Sequence, residues 1–423
     1  MDNRVKPTAE LERIPSLDFL RGVAILGILF INIESFAYSN PWSSWQFGFE
    51  DKIDYHVRFW IYFLTQGKFY SMFVLLFGVG FVIFLDRLEH KNIGLKAMDI
   101  YTRRMLWLFI FGVIHAYFIW DGDILYHYSI CGLLLLPFRS IKSNHLALVI
   151  FVLASFLLVK QYETTAKRQG TEKEYLQALD IDGPQRNEDQ IKRITTWEKR
   201  YSKKLPDSSE VKNPRPSYWD GLKKSYEHVT VHKGAFYYKS LLFPSLIVML
   251  LGMMLYRAGI FVDYTVWKNY WLISVSVLII GLTINYFRFY HWTYEDHKPI
   301  TNIWQSFLYT FPKESLGLGY ILMLNGIYQK FFKGSKIGII SKIGRTALSN
   351  YIFQSLILGL IFYGYGFGMF NSFSRFELLS IVVCIWFIQI SITWIWLKYH
   401  AQGPLEWLWR KLTYGSFTEK NDR

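Results

Sequence analysis

Arg13-Ile14-Pro15-Ser16-Leu17-Asp18-Phe19-Leu20-Arg21-Gly22 runs without interruption into the apolar residues 23–33. An apolar stretch with its charges gathered at one end is the pattern of a membrane helix anchored at an interface. On an ideal helix the residues from Arg21 to Asn32 turn through about 1100°, so Asp18, Arg21 and Asn32 fall near one meridian. A polar stripe therefore climbs the first span to a point roughly 16 Å above Arg21. Ionisable groups in a membrane helix usually face a cavity, so the stripe predicts a route inward from one interface.

The same pattern recurs along the chain. Of its 423 residues 52% are hydrophobic and 19% aromatic, and apolar runs recur near the ~20 residues that cross a ~30 Å hydrocarbon layer. Spans are predicted at 17–38, 69–88, 105–120, 124–138, 146–159, 240–256, 270–289, 303–327, 347–363 and 378–398. That is an all-α, polytopic transmembrane bundle of about ten helices. Residues 57–64 read either as an interfacial helix or as the first turns of the second span. The net charge of +14 does not argue for nucleic acid, because the basic residues sit at the ends of apolar segments, where anionic lipid attracts them. Cys131 and Cys384 lie inside apolar segments and offer no disulfide framework. No zinc-type spacing occurs, so no metal is expected. Ser35-Phe36-Ala37 suits a cleavage site, but Asn32 and Glu34 interrupt the apolar stretch, and the first span reads as retained.

Every second connection is basic. Arg4, Lys6, Arg13 and Arg21 precede span one, and Arg87, Lys91, Lys96, Arg103 and Arg104 follow span two. Arg139 and Lys142 follow span four, Arg257 and Lys268 span six, Lys330, Lys333, Lys336, Lys342 and Arg345 span eight, and Arg410 and Lys411 span ten. The positive-inside bias then puts both termini in the cytoplasm of a bacterium, with the chain multi-pass in its plasma membrane. The acidic runs Glu50-Asp51-Lys52-Ile53-Asp54 and Trp120-Asp121-Gly122-Asp123 face outward. Three units result: a transmembrane half at 1–160, an extracytoplasmic loop or cap at 161–239, and a second transmembrane half at 240–423 ending in an interfacial helix. The loop has helix-like stretches near 175–179 and 189–203, then Asn213-Pro214-Arg215-Pro216. A folded cap and an unstructured spacer both fit its mixed charge.

Three constellations carry candidate chemistry. His115 precedes Trp120-Asp121-Gly122-Asp123, the turn between two short spans, so a histidine and two carboxylates meet at membrane depth. A carboxylate beside a histidine fixes its tautomer and strengthens it as a base. The plainer alternative is a solvated turn in which Asp123 caps the next helix. Second, Phe311-Pro312-Lys313-Glu314-Ser315 puts a proline and two charges in mid-span, which predicts a kinked cavity wall. Neighbours in sequence diverge on a helix, so Lys313 and Glu314 are each expected to find a partner elsewhere. Third, Gly344-Arg345 opens a helix carrying Asn350 and Gln354 on one face, suited to hydrogen bonds between helices. Arg345 reads as a lipid anchor or a phosphate-binding group. Gly403-Pro404-Leu405-Glu406-Trp407-Leu408-Trp409-Arg410 reads as an interfacial anchor.

These pieces resemble the YeiB-like membrane family, domain of unknown function 418, across nearly the whole chain. The resemblance rests on Ser16-Leu17-Asp18-Phe19-Leu20-Arg21-Gly22, the stretch from His115 to Leu125, Gly344 through Ser355, and Gly403 through Arg410. That family is similar in turn to the transmembrane acyltransferases, both acyltransferase-3 and heparan-glucosaminide acetyltransferase types, which share a Leu-Asp-x-x-Arg-Gly opening. The resemblance implies transfer of an acyl group from cytosolic acyl-CoA, such as acetyl-CoA, to an acceptor across or within the membrane. Many acyltransferase-3 members carry a catalytic His eleven residues after the Arg. This chain has Asn32 there, as the heparan-type enzymes do, which leaves His115, or His56, as the base.

Two functional readings follow. As an acyltransferase, the chain would hold the donor's phosphates with Arg21, Arg103, Arg104 and Arg345, and His115 would act near Asn32, oriented by Asp121 or Asp123. The acceptor would be a small molecule or a glycan, and the other partners membrane lipids. As a secondary transporter, the same intramembrane groups, Asp18, Glu34, Lys313, Glu314, Asn350 and Gln354 among them, would line a path for a small polar or anionic solute. The oligomeric state stays open between monomer and homodimer.

Overall fold

The computed structural model describes residues 13–42, 52–89, 95–201, 218–233, 241–294, 299–333 and 338–415, with backbone alone at 220, 224 and 231–233. Arg4, Lys6, Lys91, Lys336, Glu50, Asp51 and the run 213–216 lie outside the described residues. Among the described residues all regular structure is helical. The described residues form an all-helical membrane protein, and among them five helical runs, Pro15–Ala37, Lys52–Glu89, Ser143–Leu179, Tyr270–Tyr294 and Arg375–Tyr399, are long and apolar enough to cross a bilayer. Leu242–Arg257 and Ala347–Phe362 are shorter apolar helices.

The first half contains α1 (Pro15–Ala37), α2 (Lys52–Leu64), α3 (Lys68–Glu89), α4 (Leu95–Phe118), α5 (Leu125–Leu134) and α6 (Ser143–Leu179). A three-residue turn with Gly67 at φ 78° separates α2 from α3, so residues 57–64 form a helix of their own. α6 runs unbroken past residue 160, far beyond the predicted span. Its extension pairs with α7 (Glu188–Tyr201) through stacked Tyr175 and Trp197 and the Arg193–Glu174 ion pair. α8 (Tyr218–Glu227) leans on the end of α4, where the Tyr218 hydroxyl donates to the Phe118 carbonyl.

The second half contains α9 (Leu242–Arg257), α10 (Tyr270–Tyr294), α11 (Ile303–Leu308), α12 (Pro312–Ile327), α13 (Gly338–Arg345), α14 (Ala347–Phe362), α15 (Arg375–Tyr399) and α16 (Pro404–Tyr414). The eighth predicted span is therefore two helices. Pro312 does not kink a continuous helix but opens α12 at its first position, where its missing N–H is no loss.

α1 is the central post, buried on most of its surface by α3, α13, α14 and α15. Its closest neighbour is α13. A Cβ at Gly22 would stand 2.0 Å from the Ile340 carbonyl oxygen, and one at Gly344 only 1.8 Å from that of Asp18. Backbone meets backbone there, as small residues allow between membrane helices. Arg21 and Arg345, each next to one of these glycines, are thereby brought to the same end of the bundle.

Hydrogen bonds identify the two ends. At the end where α1 begins, the near face, Arg257 donates to the carbonyls of Arg139 and Ile141, and Ser16 to that of Phe261. At the far face Asn371 N–H donates to the Ala37 carbonyl, and Tyr38 to that of Phe373.

Candidate functional site: a basic-mouthed cavity and a buried histidine

A cavity of about 660 Å³ is lined by α1, α3, α4, α5, α13, α14 and α16. On three of the lining helices the positions change from charged to apolar away from the near face. On α1 they run from Arg13 through Arg21 to Ile25, on α3 from Arg87 back to Phe73, and on α4 from Arg104 to Leu108. Arg345 and Arg410 complete a mouth of six arginines, opposed by the carboxylates of Asp18 and Glu406. The inner end is closed by Ile124, Leu125, Tyr128 and Tyr351. A positive mouth over apolar walls suits an amphiphile with an anionic head.

Both carboxylates serve to place cations and helices. Asp18 accepts from Arg21 at 3.0 Å and stands 3.8 Å from Arg13. Glu406 caps the start of α14, accepting from the Leu348 and Ser349 N–H groups at 2.7 and 3.1 Å and from the Ser349 hydroxyl at 2.5 Å. Burial pushes the Glu406 pKa up, against these hydrogen bonds, which lower it. A carboxylate at a helix N-terminus is electrostatically favoured, so α16 is held against the bundle. It is a wall of the cavity. Arg104 lies 3.6 Å over the Trp409 ring, and Trp409 Nε1 donates to the Arg104 carbonyl at 2.8 Å.

Behind the inner wall sits His115, its ring 5.1 Å from that of Tyr351. His115 Nδ1 is 2.7 Å from Asp123 Oδ2, and both residues are 1% exposed. Asp123 Oδ1 accepts the Tyr126 N–H at 3.1 Å, so this carboxylate both caps α5 and orients the imidazole. A carboxylate on Nδ1 leaves Nε2 as the acceptor. Among the described residues that Nε2 meets no hydrogen-bond partner. Asp121 is not the orienting group, since its carboxylate pairs with His228 at 2.5 Å.

The other predicted residues separate into distinct places. Arg21, Arg104 and Arg345 line the mouth, whereas Arg103 pairs with Asp99 one turn earlier on its own helix. Asn32 is buried on α1 beyond the cavity, whose lining on that helix ends at Ile25. Asn350 and Gln354 join helices instead: Gln354 donates to the Ile25 carbonyl and to Gln389, and Thr393 donates to Asn350. Glu34 belongs to a buried network at the far end of α1, 3.2 Å from Arg375, which also meets Asp54 at 3.3 Å. Lys313 and Glu314 do meet, at 3.6 Å, against the expectation of separate partners. They stand in the first turn of α12, where no preceding turn constrains their side chains. His56 lies against Tyr294 near the far face, away from the cavity.

Arg375 was not singled out by the sequence, because one arginine at a helix start reads as an anchor. For the α16 wall a signal existed: Glu406, Trp409, Arg410 and Tyr414 recur at helical spacing and share one face.

Residues 255–416, which include Arg345, Glu406 and Arg410, match the family model described as "Protein of unknown function (DUF418)". YeiB of Escherichia coli (strain K12), described as uncharacterized, is 31% identical over 429 residues, covering 95% of this chain and 97% of its own. YxaH of Bacillus subtilis (strain 168), also described as uncharacterized, is 28% identical over 443 residues, covering 98% and 97%. No solved structure matches the chain. With a relative of that identity along nearly its full length, and the family model over its C-terminal segment, the chain belongs to the DUF418 family.

Proposed function

We propose that this protein is a transmembrane acyltransferase that takes acyl-CoA at the near face and passes its acyl group to an extracytoplasmic or membrane-embedded acceptor. The carrying observation is the cavity itself, with six arginines at its mouth and a buried His–Asp pair behind its inner end. Arginine forks suit the phosphates of a CoA thioester, and the apolar walls suit its acyl arm. In this reading ten helical segments cross the membrane and the near face is cytoplasmic, which the alternating basic connections support.

The chemistry asked of the chain is modest. Arg21, Arg104, Arg345 and Arg410 hold the donor's anionic head, and Tyr128 and Tyr351 bound the reacting end. His115 Nε2 accepts the proton of the acceptor's hydroxyl or amine as the new acyl bond forms and the carbon–sulfur bond breaks. The proton then passes to the departing thiolate. Asp123 holds the imidazole and stabilises its protonated form.

A labelled-acyl transfer assay in proteoliposomes tests this. Arg21→Ala is expected to weaken donor binding, while His115→Ala keeps binding and loses transfer by ~10²-fold or more. No transfer from any acyl-CoA, together with substrate-dependent proton movement, would replace the enzyme by a transporter.

A further inference from the structure

A second histidine, His127, stands in the first turn of α5, four residues after Asp123. His127 Nε2 is 2.9 Å from the Oγ of Ser245, on the first turn of α9. The Tyr70 hydroxyl reaches the same Oγ at 3.0 Å, and Cys131 packs its sulfur 3.5 Å from the imidazole. Ser245 is 2% exposed and His127 1%. A hydroxyl held between an imidazole and a second hydroxyl is the arrangement of an activated nucleophile with a nearby donor.

The route to it from the main cavity runs past Tyr128. Tyr128 lines the main cavity and packs its ring 5.8 Å from Tyr70 and 6.2 Å from His127. One aromatic ring therefore divides the cavity from the Ser–His pair. On the other side Ser245 and Tyr70 meet Lys313 and Glu314 along a closed seam with no room for a water molecule. The pair thus stands behind the inner end of the cavity, and neither the arginine mouth nor the His115–Asp123 pair accounts for it.

We propose that Ser245 is an acylation site, a nucleophile that carries the acyl group from the donor cavity to the acceptor through a covalent ester. This rests on the acyltransferase reading and adds an intermediate to it. In the first step Ser245 Oγ attacks the thioester carbon and gives its proton to His127 Nε2. Tyr70 donates to the developing oxyanion. The carbon–sulfur bond breaks, and the thiolate takes the proton from His127 and leaves as free CoA. In the second step the acceptor's hydroxyl, deprotonated by His115, attacks the ester, and the Oγ–carbon bond breaks. The acceptor's proton ends on Ser245, so the enzyme is restored with no other reactant. Two bases, His127 on α5 and His115 on α4, then serve two half-reactions.

The full-length protein in nanodiscs, incubated with labelled acetyl-CoA and no acceptor, is quenched and its peptides sequenced by mass spectrometry. The label is expected on Ser245 in the wild type, absent in Ser245→Ala, and formed ~10²-fold or more slowly in His127→Ala. With acceptor added, His115→Ala should accumulate the ester several-fold over wild type. Acetyl-CoA titration of Ser245→Ala checks that the variant is folded and still loads donor. Unlabelled Ser245 with donor bound, or wild-type transfer by Ser245→Ala, overturns the intermediate and leaves the acyltransferase standing. Should no acyl-CoA bind, a lipophilic fluorophosphonate reads the nucleophile directly. Labelling of Ser245 that depends on His127 upholds the activated serine, and its absence refutes it.

Discussion

Gly344→Ala tests the contact that assembles the cavity mouth. The new methyl would lie 1.8 Å from the Asp18 carbonyl oxygen and 2.8 Å from the Gly22 nitrogen. Ordinary contact lies near 3.5 Å, so α1 and α13 must part by roughly 1.5 Å. Both obstacles are backbone, so no side chain can swing aside. Overpacking of this kind costs about 1–3 kcal/mol, and the rigid neighbours put it at the upper end. Helix propensity returns up to ~1 kcal/mol for Gly to Ala, which leaves a net loss of about 2 kcal/mol. Gly170→Ala is the control: it lies within α6 with nothing inside 4 Å, so only the propensity gain applies. Because Arg345 and Arg21 flank the two glycines, the same displacement should weaken acetyl-CoA binding about tenfold or more, the equivalent of ~1.4 kcal/mol. Thermal unfolding in detergent and calorimetric titration read the two effects. A Gly344→Ala protein with wild-type midpoint and affinity, beside a stabilised Gly170→Ala, would refute the reasoning.

Other expectations follow from single contacts. Trp409→Ala removes the ring beneath Arg104 and a hydrogen bond to its carbonyl, and should loosen α16 with a loss of ~1–3 kcal/mol in stability, read by thermal unfolding. Asp123→Asn retains a good capping group for α5, so the fold should hold within ~1 kcal/mol while transfer falls steeply with donor affinity unchanged in titration. Arg375→Met removes the ion-pair partner that Glu34 and Asp54 share in a buried site and should cost about 3–5 kcal/mol in the same unfolding assay. Adding Glu34→Gln should recover part of it, and strict additivity would show the two do not interact. With the native cysteines replaced, Asp189→Cys in intact cells should react with an impermeant thiol reagent and Lys96→Cys only after permeabilisation. The reverse pattern would invert the orientation.

The apolar helices were legible because membrane crossing imposes a length and a composition that local sequence displays. So was the link between the Asp18–Gly22 and Gly344–Arg345 motifs and one common site, although their backbone contact was not. A helix crossing depends on which glycine meets which carbonyl, and two segments over three hundred residues apart carry no record of that in their own periodicity. Asn32 shows the limit of a single-helix argument: it shares a meridian with Arg21, yet the cavity turns toward α5 and α14 before reaching it. Pro312 shows another limit, since a proline within an apolar run marks equally a kink and a first position. The partner of His115 was narrowed by sequence to two aspartates. The tertiary contacts separate them: Asp123 meets the His115 ring, and Asp121 pairs with His228, just past the end of α8.

Calorimetric titration of the purified full-length protein with acetyl-CoA tests the central claim most directly. The account predicts saturable binding that weakens as salt rises, falls in Arg21→Ala and in Arg345→Ala, and persists in His115→Ala. Absence of binding at low salt, or binding indifferent to both arginines, would contradict it.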